Sequence, residues 1–276
     1  MRGLKMKLLD CIIYSRDRAC QLDLLLRTVK DKFKNVGQVH LLYTYSSDEL
    51  KVGYEKVLAK DYKLDISGHK QTNFQEDVNS IITSMESEAF LGLCDDDAFL
   101  TDVDTTDIVH KLDEEGASGI SLKAGLNIIG NYPERINPLP NFIETEPFLK
   151  WEWLKTDASF DWGYCTCINS YIFKRVYFLD LVNKQQFIHP PTMEGGLILS
   201  RAYFKPYMFS YRQSSLLNIP ANRIQTISPN AFATKYFYNH EELNEKWLAG
   251  LQISTKTIYD TKMVMGNEER EFIFEN

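Results

Sequence analysis

The stretch FLGLCDDDAFL, residues 90–100, sets three consecutive carboxylates between two apolar runs. Adjacent like charges repel, and ordering them beside a hydrophobic strand adds a desolvation cost. The run therefore belongs at a wet strand end, with something positive nearby to offset it. Outward from it, NFQEDVNSIITSME (73–86) reads as a helix leading into the strand AFLGLCDDD (89–97). Earlier in the chain, KLLDCIIYS (7–15) reads as a buried strand and RDRACQLDLLLRTVKDKF (16–33) as an amphipathic helix, with Leu22, Leu25, Leu26 and Val29 on one face. VGQVHLLYTYSS (36–47) is a second strand and DELKVGYEKVLAKDY (48–62) a second helix. This β-α-β-α-α-β alternation predicts an α/β fold with a mostly parallel sheet flanked by helices.

In open parallel sheets ligands sit beyond the carboxyl ends of the strands. Three polar strand ends then share one rim: Ser15-Arg16-Asp17-Arg18, Tyr43-Thr44-Tyr45 and Asp95-Asp96-Asp97. An arginine pair, an aromatic pair and a carboxylate triplet suit a nucleoside diphosphate with a divalent cation. Mg²⁺ and Mn²⁺ prefer carboxylate and phosphate oxygens. Alternation along the turn predicts that Asp95 and Asp97 face one site and Asp96 points elsewhere.

Composition narrows the class. The 276 residues are 44% hydrophobic and 13% aromatic, which suits a packed core and excludes a disordered chain. A net charge of −7 argues against nucleic acid as the main partner. Five scattered cysteines suit a reducing compartment, and no apolar segment approaches the roughly 20 residues of a membrane span. A soluble, cytoplasmic protein is expected.

Downstream, a helix and the strand GASGISL (116–122) precede a proline-rich stretch carrying Pro133, Pro138, Pro140 and Pro147. That stretch divides residues 1–130, a nucleotide-binding half, from residues 131–276, an acceptor-binding half of the same domain. The second half is expected to hold a helix in RVYFLDLVNKQ (175–185), a loop at FIHPPTMEGGL (187–197) and a short helix in NHEELNEKWLAG (239–250).

An apolar strand ending in D-x-D, here Asp95-Asp96-Asp97, resembles the metal and nucleotide-sugar signature of GT-A glycosyltransferases. The resemblance extends to YSRDRACQL (14–22), to SFDWGYCTCINSYIFKR (159–175) on the acceptor side, to HPPTMEGGL (189–197) and to SLLNIPANRIQ (215–225). These elements cover most of the chain in the family's order and are similar to glycan-building transferases of bacteria and viruses. The resemblance implies a GT-A, Rossmann-like sheet with a C-terminal acceptor-binding half. It also implies a Mn²⁺ or Mg²⁺ ion bridging Asp97 and Asp95 to the donor diphosphate.

The remaining roles follow the same pattern. Ser15, Arg16, Arg18 and Asp96 are expected at the nucleotide or its phosphates, since guanidinium pairs with phosphate oxygens. Tyr43 and Tyr45 are expected on the base, and Lys123 at the phosphates. His189 is a candidate for metal or diphosphate. An inverting transferase needs a base for the acceptor hydroxyl; Asp161, ahead of Trp162-Gly163-Tyr164, is the first candidate and Glu194 the second, with Asp157 and Glu152 as neighbouring alternatives. Asn218, Asn222 and Arg223 form a late donor- or acceptor-covering element. The expected donor is a UDP-linked pentose or hexose, with xylose as first guess, and the acceptor is a glycan hydroxyl. Stereochemistry and oligomeric state are open. An Asp-dependent phosphohydrolase and a non-catalytic sugar-binding module are the competing readings.

Overall fold

The computed structural model describes residues 9–132, 135–224, 233–260 and 262–276. Lys7 and Leu8 of the first expected strand, Pro133 of the proline-rich stretch and Gln225 of the late element lie outside these. The fold is mixed α/β, with one nine-stranded sheet at its centre. In chain order its strands are β1 (Leu9–Arg16), β2 (Val36–Thr44), β3 (Ile66–Lys70), β4 (Ala89–Cys94), β5 (Ala117–Ser121), β6 (Phe142–Glu144), β7 (Leu149–Glu152), β8 (Tyr171–Lys174) and β9 (Tyr207–Ser210). Across the sheet the order is β6-β7-β9-β5-β8-β4-β1-β2-β3.

Strands β3, β2, β1 and β4 are mutually parallel, so their carboxyl ends share one edge. β8 runs antiparallel between β4 and β5. That reversal delivers the chain just before β8, residues 161–170, to the rim where β1 and β4 end. β5 runs antiparallel to β8 and therefore also points its carboxyl end, Ser121 to Lys123, at the same rim. Strands from either side of residue 130 thus alternate within one sheet.

Both sheet faces are covered, which the alternation in β1 shows directly. Cys11 and Ile13 enter one core cluster, while Ile12 and Tyr14 enter the other. Helices α1 (Ala19–Lys32), α2 (Asp48–Ala59) and α6 (His240–Leu248) pack on the first face. Helices α3 (Phe74–Ser84), α4 (Arg175–Val182) and α5 (Pro190–Leu199) cover the second. No helix among the described residues is long and apolar enough to cross a membrane.

Two expectations change. ISGHK, unread in the sequence, is strand β3. Residues 190–197, expected within the loop 187–197, instead lie in helix α5, because proline is tolerated in a first turn whose N–H groups have no intrahelical partner. His189 caps it: its Nδ1 accepts from the Thr192 N–H at 3.2 Å, and the Thr192 hydroxyl accepts from the His189 N–H.

Gly92 explains how the segment before β8 lies against the sheet. A Cβ built there would meet the Ile168 carbonyl oxygen at 1.9 Å, and Ser170 N–H donates to the Gly92 carbonyl at 2.7 Å. Gly92→Ala is expected to cost the upper end of the about 1–3 kcal/mol typical of overpacking. That corresponds to a fall in melting temperature of about 5–10 °C for a chain of this size. Gly195→Ala in α5, where the added Cβ meets nothing within 4 Å, is the control and is expected to stabilise by about 0.5–1 kcal/mol. Equal melting temperatures for the two variants would contradict this account.

Candidate functional site

The rim opens into a cleft of about 680 Å³ that collects residues from all of these segments. From β1 and its turn come Ser15, Arg16 and Arg18; from the ends of β2 and β3 come Thr44 and Gln71; from the end of β4 come Asp95 and Asp96. Lys123, Asp161, His189 and Glu194 line the other side, and Asn218, Asn222 and Arg223 close the rim. Most residues singled out in the sequence therefore meet in one cavity, with Tyr43, Tyr45, Asp97, Glu152 and Asp157 outside its lining.

The centre of the site is Arg18, whose side chain is only 13% exposed. Its Nη1 donates to Asp95 Oδ1 at 3.0 Å and to Asp96 Oδ2 at 2.9 Å. Its Nε donates to Asn222 Oδ1 at 2.7 Å and its Nη2 to the Asn222 carbonyl at 2.6 Å. Burial disfavours the charged guanidinium, but the Asp95 and Asp96 carboxylates outweigh that and hold it firmly protonated. The Arg18 donors are thus engaged within the protein, where the sequence had placed them on phosphate.

The triplet is satisfied residue by residue. Asp95 Oδ2 accepts from the Ser15 hydroxyl at 2.9 Å and the Arg16 N–H at 3.1 Å. Asp96 Oδ1 accepts from Asn218 Nδ2 at 2.7 Å. Asp97 is 1% exposed; its Oδ2 accepts from the Cys94 N–H at 2.8 Å, and its Oδ1 from Asn218 Nδ2 at 3.0 Å and Asn169 Nδ2 at 3.3 Å. Burial pushes both Asp95 and Asp97 above the usual carboxylate range; Asp96 adds to it in each case, while Arg18 pulls Asp95 back down. The expected directions are therefore corrected. Asp96 faces the cleft, and Asp97 turns inward to hold the β4 turn against a short strand, β10 (Leu216–Asn218), that pairs with residues 97–99.

These observations bear on the expected cation. A hard metal ion needs free carboxylate lone pairs in a common direction. Here Asp95 and Asp96 already share a cation, Asp97 is turned away, and the His189 Nδ1 is spent on a helix cap. Among the described residues no group of three or more His, Cys, Asp or Glu side chains is arranged to hold a metal. The donor set does not fit a divalent ion as it stands.

The other residues expected at the nucleotide divide. Arg16 is 58% exposed, lies 3.5 Å from Asp17 and faces the cleft. Asp17 supports this turn with φ of 56°, a left-handed conformation that aspartate tolerates, and its Oδ1 accepts from the Ser46 N–H at 2.7 Å. Tyr43 and Tyr45 do not line the cleft. Tyr43 stacks on Tyr54 with ring centroids 5.0 Å apart, and the Lys70 ammonium lies 4.6 Å above the Tyr45 ring. Side chains alternate along a strand, so with both tyrosines directed to that packing, Thr44 is the one at the rim.

On the other side of the cleft, Asp161 opens a short 3₁₀ turn (Asp161–Gly163) and its carboxylate has no hydrogen-bond partner among the described residues. Burial raises its pKa and nearby Lys123 draws it back down. Lys123 Nζ donates to Asn267 Oδ1 at 2.7 Å. Burial opposes the Lys123 charge, yet the acidic groups around it, Cys167, Asp161, Asp97 and Glu194, prevail and keep it protonated. Glu194 is part-exposed on the cleft wall, and its Oε1 accepts from the Cys167 thiol at 3.0 Å and the Ile168 N–H at 2.9 Å. Its pKa is raised by burial. Asp157 and Glu152 lie outside the cleft: Asp157 accepts from Ser159, and Glu152 pairs with Lys155 at 2.9 Å.

Sequence reasoning missed Tyr14, Gln71, Phe74, Asn169 and Asn267 as lining residues. Gln71 was findable, because recognising ISGHK as a parallel strand places the next residue at the rim. Asn169 and Asn267 carry no local signal.

No protein-family model matches the chain, and no curated protein matches it. Among solved structures, S. aureus TarS residues 1–349 in complex with UDP-GlcNAc superposes with a TM-score of 0.50 at 15% identity, covering 85% of this chain and 60% of that one. The same fragment with UDP gives 0.47 at 16% identity, covering 76% and 59%. A longer TarS chain gives 0.46 at 14% identity, covering 76% of this chain and 36% of its own. The chain thus spans at most about 60% of the length of these structures. At such identity the likeness is one of fold.

Proposed function

We propose that the chain is a glycosyltransferase that moves a sugar from a nucleotide diphosphate, most simply UDP, to a hydroxyl of a glycan acceptor. The observation that carries this reading is the convergence of the β1, β2, β3 and β4 ends on one cleft with the Asp161 carboxylate, which has no hydrogen-bond partner among the described residues. The TarS fragment that superposes at 0.50 holds UDP-GlcNAc, which supports a nucleotide-sugar donor. The cleft also lies within the volume range of small-molecule sites.

In this reading the nucleotide lies along Ser15, Arg16, Thr44 and Gln71, with the diphosphate toward Lys123. The Asp161 carboxylate takes the proton of the acceptor hydroxyl as its oxygen attacks the anomeric carbon. The bond from that carbon to the diphosphate oxygen breaks, and its electron pair leaves with the nucleotide. The Lys123 ammonium and the Arg16 guanidinium face the negative charge that develops there. Inversion at the anomeric carbon follows from this single displacement. Glu194, held by Cys167 and Ile168, fixes the segment that carries the acceptor side.

Two experiments test the assignment. In a thermal-shift screen of nucleotides and nucleotide sugars, UDP or a UDP-sugar near 100 times its Kd is expected to add about 2.7 kcal/mol of stability. That raises the melting temperature by about 5–10 °C. Asp161→Asn is expected to keep that shift while transfer falls about 10²–10⁴-fold. Undiminished transfer removes Asp161 as the base, and wild-type binding without any transfer marks a binding module.

Glu194 has a pH signature of its own. Its folded-state pKa lies above the ordinary glutamate value, so the folded protein holds its proton more tightly than the unfolded chain does. Stability from this group is greatest below the ordinary glutamate pKa and declines as pH rises through the raised one. Glu194→Gln keeps an oxygen for Ile168 and removes the charge. It is expected to flatten the dependence of melting temperature on pH over that window and to raise it at neutral pH. A pH profile identical to the wild type would show that Glu194 does not titrate abnormally.

A further inference from the structure

We infer that the Arg18 guanidinium occupies the place of a divalent cation at the aspartate triplet, so that this chain binds its nucleotide without a metal ion. One Nη1 bridges carboxylate oxygens of Asp95 and Asp96 at 3.0 and 2.9 Å, the role a shared hard cation would play. The rest of the guanidinium is clamped by both the side chain and the carbonyl of Asn222. The cation is built in from a position three residues after the end of β1's buried run, and Tyr54 fixes its backbone: the Arg18 N–H donates to the Tyr54 hydroxyl at 3.2 Å.

Three further features favour a resident arginine over a metal. The carboxylate oxygens that Arg18 leaves are taken by Ser15, the Arg16 N–H and Asn218. The third aspartate is 1% exposed and bonded to Cys94, Asn169 and Asn218. The Asp96 carbonyl accepts from the Ile219 N–H at 2.7 Å, so the triplet's backbone is tied to the same segment that holds Arg18. A metal entering here would have to displace a fixed positive charge and several hydrogen bonds together. The positive charge that meets the diphosphate then comes from Arg16 and Lys123, both on the cleft.

The test has a cation arm and a nucleotide arm; only the second rests on the transferase reading. In the cation arm, Mn²⁺ binding is followed by electron paramagnetic resonance on the full chain, free and with UDP. The wild type is expected to take up no protein-bound Mn²⁺ beyond what UDP alone binds. Arg18→Met, which vacates the space between Asp95 and Asp96, is expected to bind Mn²⁺ at least about tenfold more tightly than the wild type. Stoichiometric Mn²⁺ on the wild type overturns the inference, whether or not the variant folds. In the nucleotide arm, the UDP-induced rise in melting temperature is expected to be the same within about 1 °C in EDTA and in Mn²⁺. A rise that appears only with Mn²⁺ also overturns it. No rise in either condition counts against nucleotide binding itself, and the cation arm then decides the role of Arg18 alone.

Discussion

A buried guanidinium between two carboxylates ties the site together. Arg18 belongs to the turn after β1, Asp95 and Asp96 to the turn after β4, and Asn222 to the segment after β10. These lie far apart in the chain; the guanidinium joins all three at one point, alongside the Ser15–Asp95 and Asn218–Asp96 hydrogen bonds. Such pairs contribute little net stability, because desolvation offsets most of the attraction, yet losing one partner costs about 3–5 kcal/mol by stranding the other charge. The clasp therefore acts as a geometric constraint. It holds three loops in one register, and the cleft is the space they enclose.

The second constraint is the direction of β8. Four parallel strands bring the Arg16 and Asp96 turns to one edge, but an all-parallel continuation would carry the 161–170 segment to the opposite edge. Running β8 antiparallel between β4 and β5 returns it to the rim. Gly92 allows the close approach, since any side chain there would collide with the Ile168 carbonyl. Packing at one glycine in β4 thus positions Asp161, Cys167 and Asn169 across from Arg16 and Asp96.

Charge around the cleft is arranged in compensating groups. Arg18 is matched by Asp95 and Asp96, and Lys123 stands among Asp161, Asp97 and Glu194. Asp161 differs from the other carboxylates there because no hydrogen bond from the described residues commits it. Glu194 faces the same cleft with one oxygen already engaged.

Local pattern alone determined the class of fold and the rim. Apolar runs of strand length alternating with amphipathic helices imply a parallel sheet, and parallel strands present their polar ends on one edge; hence Ser15, Arg16 and the aspartate triplet were recognisable as neighbours on one rim, whereas Asp161 and Glu194 were reached only through the family resemblance of residues 159–175 and 189–197. Strand β3 escaped because ISGHK lacks an apolar run, being half-exposed at the sheet edge. Helix α5 escaped because its prolines look like breakers from outside and act as starters once His189 caps the turn. What only the tertiary structure decided is the partner of each side chain. The roles of Arg18, Asp97, Tyr43 and Tyr45 depend on which neighbour lies within about 3 Å of a donor or which ring lies beneath another, distances set by chain segments up to 204 residues away. A carboxylate triplet in sequence is a set of charges; whether a metal or an arginine answers it depends on which positive group the fold brings alongside.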